Sequence, residues 1–218
     1  LTYIGMTVGK EKLEGKVWYT LDMQADIVDF LTEAGMSGCR ATTAPMAYKD
    51  EILTDTTPVS EQEHKQYMSQ VGSLQWYAGI RYDIAFEVTR LAQYLAKPTK
   101  GAMKALKRVM AYLMTTSDKK LWVPRVSGNR WTLYSDSDHA GETAMDITRS
   151  HTGVIMLLNG MPIHWRSNKQ PKTAYSSAAA EIFAMSEAVK DANIRLWVAE
   201  DMHVTVTWPM VLHVKVLG

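Results

Sequence analysis

The 218-residue chain contains one cysteine, Cys39, so no internal disulfide can form and a reducing compartment is compatible with the sequence. No apolar run approaches the length of a membrane span, which leaves no candidate transmembrane segment. No signal-peptide pattern, internal repeat or low-complexity tract is visible either. Acidic residues are missing from two long stretches. Between Glu87 and Asp118 lie Arg90, Lys97, Lys100, Lys104, Lys107 and Arg108 with no acid, and between Asp146 and Glu181 lie Arg149, Arg166, Lys169 and Lys172, again with none. A formal net charge of +1 therefore conceals two one-signed segments.

The composition, 46% hydrophobic and 22% charged, is that of a globular protein with enough chain for one large or two small cores. "LTYIGMTV" and "KVWYTL" predict a hairpin around the polar "GKEKLEG". A helix is expected from Asp22 to Ala34, then an extended connection over residues 36–59. Ser60 with Glu63 forms a capping-box pattern that opens a helix to Ala78. Further helices are expected from Asp83 to Ala96, stopped by Pro98, and from Lys100 to Thr115, capped by Thr99. These three form a helical unit with short loops.

From Arg130 the period changes. "RWTLYSD" and "GVIMLLN" read as strands, and Asn159-Gly160 is a two-residue hairpin turn into "MPIHW". The polar "RSNKQPK" reads as a loop. A long helix follows from the cap Ser177, with Ile182, Met185, Val189, Leu196 and Trp197 expected inward, and "PMVLHVKV" alternates as a final strand. A three-strand antiparallel meander, a crossover helix and a last strand parallel to the first require a mixed sheet. The expected organisation is thus α+β or α/β, with residues 1–125 a hairpin and helical unit and residues 126–218 a mixed-sheet domain; the boundary falls between Val123 and Asn129.

Two carboxylates, Asp136 and Asp138, close the strand "LYSDSDHAG". Asp and Gly are common in polar turns, so a solvated turn is one reading. A site for a hard cation is the other, because Mg²⁺ takes oxygen ligands and is usually held by a few carboxylates with substrate and water. Glu181, in the first turn of the crossover helix, can meet Asp136 on one side of the central strand; its alternative role is compensation of the helix dipole. Asp138 shares a strand face with Asp136 and is a further possible ligand. Lys100, Lys104 and Arg108 recur every four residues as a basic stripe, which suits phosphate binding or a plain solvated helix face. His139, His151 and His164 lack ligand-like spacing, and the seven Trp and fourteen Met are read as core filler.

"LYSDSDHAG", "HWRSNKQP" and "YSSAAAEIFAMSEA", in that order, resemble the ribonuclease H domain of copia-type LTR retrotransposon polyproteins, whose corresponding segments take the forms SDADWAG and SSTEAEYMAL. Upstream, "YMSQVGSLQWYAGIRYDIAFEVTRLAQYLAKP" resembles the segment joining reverse transcriptase to ribonuclease H in the same polyproteins, with the pattern VGSLxYLxxxTRPDIxxAV. The resemblance implies a ribonuclease H-like sheet, an ancestral metal-dependent hydrolysis of RNA in RNA/DNA hybrids, Mg²⁺ or Mn²⁺ as cofactor, and an intracellular setting, cytoplasm or nucleus. It assigns the first catalytic and metal-binding carboxylate to Asp136 and the second to Glu181. Lys100, Lys104, Arg108, Arg166, Lys169 and Lys172 become candidate contacts to the hybrid, which is read through 2′-hydroxyls and phosphates.

The chain departs from the family pattern at His139, at Ala178 and Ala179, and at Tyr82, where Trp, Thr-Glu and Pro are usual. The family's third and fourth catalytic Asp have no counterpart after "VLHVKV", so impaired catalysis is expected. A last strand, Met210 to Val216, with an uncovered edge suits association with another chain. The competing expectation is therefore a catalytically silent, retroelement-derived structural or binding subunit.

Overall fold

The structure, a computed structural model, describes residues 1–46, 52, 55–124, 128–138 and 149–214. His139 lies outside the described residues. The chain divides into two compact units, Leu1–Val123 and Pro124–Gly218.

The first unit opens with β1 (Thr2–Tyr3), β2 (Met6–Leu13) and β3 (Lys16–Asp22), and β4 (Leu121–Pro124) completes a sheet in the order β1-β2-β3-β4. The expected polar turn is shorter than its sequence suggests. Lys10, Glu11 and Lys12 continue β2 opposite Tyr19, Trp18 and Val17, and only Glu14-Gly15 turns the chain. Both have positive φ (50° and 75°), the left-handed pair that matches the twist of a tight hairpin. Long charged side chains on an exposed strand are compatible with pairing, and their polarity alone misplaced the turn.

Helix α1 (Gln24–Glu33) follows, then α2 (Glu61–Tyr77), whose cap has both halves of the box: Ser60 Oγ accepts from the Glu63 amide and the Glu63 carboxylate accepts from the Ser60 amide. The next helix is shorter than expected. A 3₁₀ turn (Tyr82–Ile84) leads into α3 (Ala85–Ala92), and the approach to Pro98 is made by successive turns. Helix α4 (Lys100–Thr115) starts where Thr99 Oγ1 accepts from the Ala102 amide at 3.1 Å. Ile27, Leu31, Tyr67, Leu74, Ile84, Leu91, Leu106 and Leu113 fill the core of this unit.

The second unit holds β5 (Arg130–Asp138), β6 (His151–Leu158), β7 (Met161–Lys169), α5 (Ser177–Asp201) and β8 (Thr207–Val214). Its sheet order is β7-β6-β5-β8, with β8 parallel to β5 and the other pairs antiparallel. This mixed α/β arrangement is compatible with a ribonuclease H-like fold. The expected "RSNKQPK" loop is not a loop at its start: Arg166, Ser167, Asn168 and Lys169 pair with Val154, Gly153, Thr152 and His151. Backbone pairing with β6 outweighs the polarity of the segment.

Helix α5 is capped by Ser176, one residue before the expected Ser177. Its inward face is also different. Ala180, Ala184, Ala188, Ala192, Leu196 and Ala199 are buried, with Ala188, Ala192, Leu196 and Ala199 against Trp131, Leu133, Val154 and Met156, whereas Ile182 and Trp197 are 66% and 64% exposed and Val189 is exposed. Small side chains let the helix lie close to the sheet, so Leu196 alone of the expected fully buried contacts is enclosed.

Candidate functional site

From Leu133 onward strand β5 alternates, while Trp131, Thr132 and Leu133 before it are all buried. Trp131, Leu133, Ser135 and Ser137 are buried, while Tyr134, Asp136 and Asp138 belong to the exposed series. Asp136 pairs with Gly153 of β6, and Ser137 pairs with Thr152. Thr152 Oγ1 accepts from Gln170 Nε2 at 3.1 Å, and the same amide nitrogen donates to the Ala180 carbonyl at 3.0 Å. Gln170 is thus a buried bridge that brings the first turn of α5, and with it Glu181, to the end of β5 that carries Asp136 and Asp138.

Glu181 has an uncommon environment for a carboxylate. Among the described residues, both of its oxygens are enclosed without a hydrogen-bond partner, and the hydroxyls of Ser135 and Ser137 are likewise buried and unpaired. A buried polar group left unsatisfied costs about 1–3 kcal/mol, and more when charged, so an enclosed carboxylate signals an absent water or cation. The donor chemistry suits a hard divalent cation, for which Glu181 supplies oxygens and Asp136 stands at the same strand end. Among the described residues, however, no three His, Cys, Asp or Glu side chains gather as a metal-binding group. The fit is to one enclosed carboxylate; Asp136 belongs to the exposed series of β5, not to the buried series of Leu133 against which α5 packs.

The predicted basic contacts fall into two groups. In the second unit, Arg166 and Lys169 lie on β7 and line a pocket of about 180 Å³ together with Thr152, Gln170, Phe183 and Glu187. Arg166 Nε stands 2.9 Å from Asp191 Oδ2 and its Nη2 3.3 Å from Glu187 Oε2. Lys172 is exposed beyond the strand. In the first unit, Lys100 Nζ sits 2.6 Å from Glu63 Oε1, and hydrogen bonds from Lys100 and then Ser60 hold the Glu63 carboxyl down to about 2. Lys104 is exposed and Arg108 half-buried on the same helix. The stripe is therefore partly neutralised at its first member.

Two side-chain clusters escaped the sequence analysis. His164, on β7, has Nε2 3.4 Å from Asp191 Oδ2 and Nδ1 3.1 Å from Arg195 Nη2. Arg195 can only donate, so Nδ1 accepts and the proton belongs on Nε2. Burial, with the Arg195 charge next, holds the proton affinity of His164 below its ordinary value, against the opposing pull of Asp191. The second cluster joins Arg81 to Asp83 by two parallel hydrogen bonds of 2.9 Å, with Tyr112 Oη donating to the same carboxylate at 2.6 Å. Arg81 also donates to the carbonyl and hydroxyl of Thr116, at 2.8 and 2.7 Å. Arg81 and Asp83 of "RYD" thus fasten the α2–α3 connection to the end of α4.

Comparison with known proteins gives this arrangement a lineage. The chain is 31% identical over 207 residues to the retrovirus-related Pol polyprotein from transposon RE1 of Arabidopsis thaliana, an alignment covering 91% of this chain and 13% of that protein. It is 32% identical over 193 residues to the corresponding polyprotein from transposon RE2 of the same plant, covering 88% of this chain and 13% of that protein. A secreted RxLR effector protein 161 of Plasmopara viticola is 37% identical over 127 residues, which is 58% of this chain and 88% of the effector. No family model and no solved structure matches the chain. Spanning 13% of the length of the two plant polyproteins it resembles, the chain belongs to the family of copia/Ty1-type retrotransposon Pol polyproteins.

Proposed function

We propose that the second unit is a ribonuclease H-type segment of a Pol polyprotein, in which Asp136 and Glu181 provide two carboxylates for metal-dependent hydrolysis of RNA in an RNA/DNA hybrid. The observation that carries this reading is the enclosed, unpartnered Glu181 carboxylate beside the Asp-bearing end of the central strand. Asp136 and Glu181 would hold Mg²⁺ or Mn²⁺, with Asp138 as a further oxygen donor. When bound, such ions supply an activated water and stabilisation of the leaving oxygen. The protein's own part is positional. Gln170 fixes the start of α5 against β6, and Lys169 and Lys172 offer cations to the phosphate backbone. Arg166 acts by orienting Asp191 and Glu187.

A labelled RNA/DNA hybrid, incubated with the full chain in Mg²⁺ and separately in Mn²⁺, tests the reading. Cutting that disappears in Asp136→Asn and in Glu181→Gln is the expected result. A second reading, a catalytically silent structural or binding subunit that joins other chains through the β8 edge, is favoured by the absence of a third metal-binding side chain among the described residues. An uncut hybrid with a folded chain, together with concentration-dependent self-association or partner binding, supports that second reading.

A further inference from the structure

Away from the carboxylates, the first unit contains an open cleft of about 480 Å³ lined by Arg40, Ala41, Thr42, Thr43, Arg108 and Ala111. We propose that this cleft binds a phosphate oxyanion.

Among the described residues the lining is cationic and hydroxylic, with no carboxylate. Arginine guanidinium forks match the oxygens of phosphate in pairs, and two arginines lining one recess with the Thr43 hydroxyl supply several donors; the Thr42 hydroxyl is engaged by the Ala44 carbonyl. The alanines at 41 and 111 leave the space unfilled. Other arginines of the molecule are engaged by protein groups: Arg81 by Asp83, and Arg166 by Asp191 and Glu187. Arg40 and Arg108 form no ion pair among the described residues. Arg108 Nε is moreover enclosed without a hydrogen-bond partner among the described residues. An enclosed guanidinium nitrogen lacking an acceptor is an unfavourable state that an anionic oxygen relieves.

The recess is also preorganised. The segment that carries Arg40 to Thr43 is fastened to α4 by the Thr42 amide, which donates to Thr115 Oγ1 at 3.2 Å. Thr115 Oγ1 in turn donates to the Ala111 carbonyl at 2.8 Å, while Thr42 Oγ1 donates to the Ala44 carbonyl at 3.2 Å. Arg108 also lines a smaller apolar pocket that holds Glu87 with Met46, Arg90 and Leu91, but Glu87 is not part of the lining of the cleft with Arg40. The volume exceeds what a single phosphate requires, so a phosphate carrying a substituent also fits. Its source is either a phosphodiester of a nucleic-acid backbone or a free phosphate.

The experiment uses the full chain and two probes, inorganic phosphate followed by NMR titration and a short labelled RNA/DNA duplex followed by anisotropy. Arg40→Gln and Arg108→Gln are compared with Arg130→Gln, an exposed arginine of the other unit. A loss of about tenfold or more in affinity for at least one probe in both cleft variants, with Arg130→Gln unchanged, supports the proposal. Loss confined to the duplex, with a salt slope lower by about one per arginine removed, identifies a backbone phosphodiester. Loss for inorganic phosphate with the duplex unaffected identifies a free phosphate. Unchanged affinity for both probes, or no measurable binding of either to the wild-type chain, overturns it. Arg40 is exposed, so its variant gives a folded readout even where Arg108→Gln fails to fold. This outcome is independent of hybrid cleavage, because uncut duplex binds or does not bind this cleft regardless of Asp136 and Glu181.

Discussion

Replacing Asp83 by Asn is expected to destabilise the first unit more than any other single polar change in it. Arg81 is 3% exposed and relies on Asp83 as its one carboxylate partner, while the Thr116 acceptors cannot neutralise its charge. Burial pushes the Asp83 carboxyl up, but hydrogen bonds from Arg81 and Tyr112 and the charges of Arg81 and Lys119 outweigh it and bring the group from 3.8 down to about 2. That difference corresponds to about 2 kcal/mol of preference for the ionised carboxylate in the folded state. Asn keeps much of the shape but strands the guanidinium, and breaking a buried pair from one side costs about 3–5 kcal/mol. Lys119 contributes little to this figure because it is half exposed. Urea unfolding of the full chain, followed by far-UV circular dichroism and tryptophan fluorescence, measures the loss. The pH dependence has a definite sign: since the folded carboxyl titrates below its unfolded value, its stabilisation is present above about pH 4 and disappears as pH falls toward 2. A variant that loses less than about 1 kcal/mol, or that keeps the wild-type acid dependence in this window, refutes the clamp.

The other expectations concern the second unit. Ala188→Leu inserts a large side chain between α5 and the sheet at a fully buried position and should cost about 1–3 kcal/mol by overpacking, read as a lower urea midpoint; an unchanged midpoint would show that the helix is not seated on its alanines. His164 titrates below its unfolded value, so the stability it contributes is complete above about pH 6.5 and declines as pH falls through its lowered folded value. His164→Gln should flatten the stability profile as pH falls below about 6.5, and a profile parallel to wild type contradicts the assignment. Mg²⁺ should raise the melting temperature of the wild-type chain but not of Glu181→Gln, and equal shifts in the two would place the cation elsewhere.

Local chemistry was readable wherever it is local in sequence. The Ser60–Glu63 box and the Thr99 cap each depend on residues three apart, and both close as their spacing implies. Asn159-Gly160 turns β6 into β7 with positive φ at both positions for the same reason. Polarity misled in "GKEKLEG" and "RSNK", since a strand with an exposed face tolerates charge while its backbone pairs. Hydrophobicity misled in α5, because close helix-to-sheet approach selects alanine over isoleucine and tryptophan. At the candidate site, motif order nominated Asp136, Asp138 and Glu181, but the isolation of the Glu181 oxygens and the Gln170 bridge arise from contacts across β6 and α5. Arg81, Asp83, Tyr112 and Thr116 assemble over the length of two helices, and no short window contains them.

The parallel pairing of β5 with β8 also sets an order of events during folding. Strands β5, β6 and β7 join through neighbouring segments, so the meander can zip up rapidly from its Asn159-Gly160 turn. Leu133 must instead wait for Leu212, which arrives only after the intervening hairpin and the whole of α5. Closing so long a loop is entropically costly and is rewarded only at the end. A ribosome would release the aspartate-bearing strand well before its parallel neighbour, so during synthesis the hydrogen-bonding edge of β5 stays open to other chains until β8 emerges.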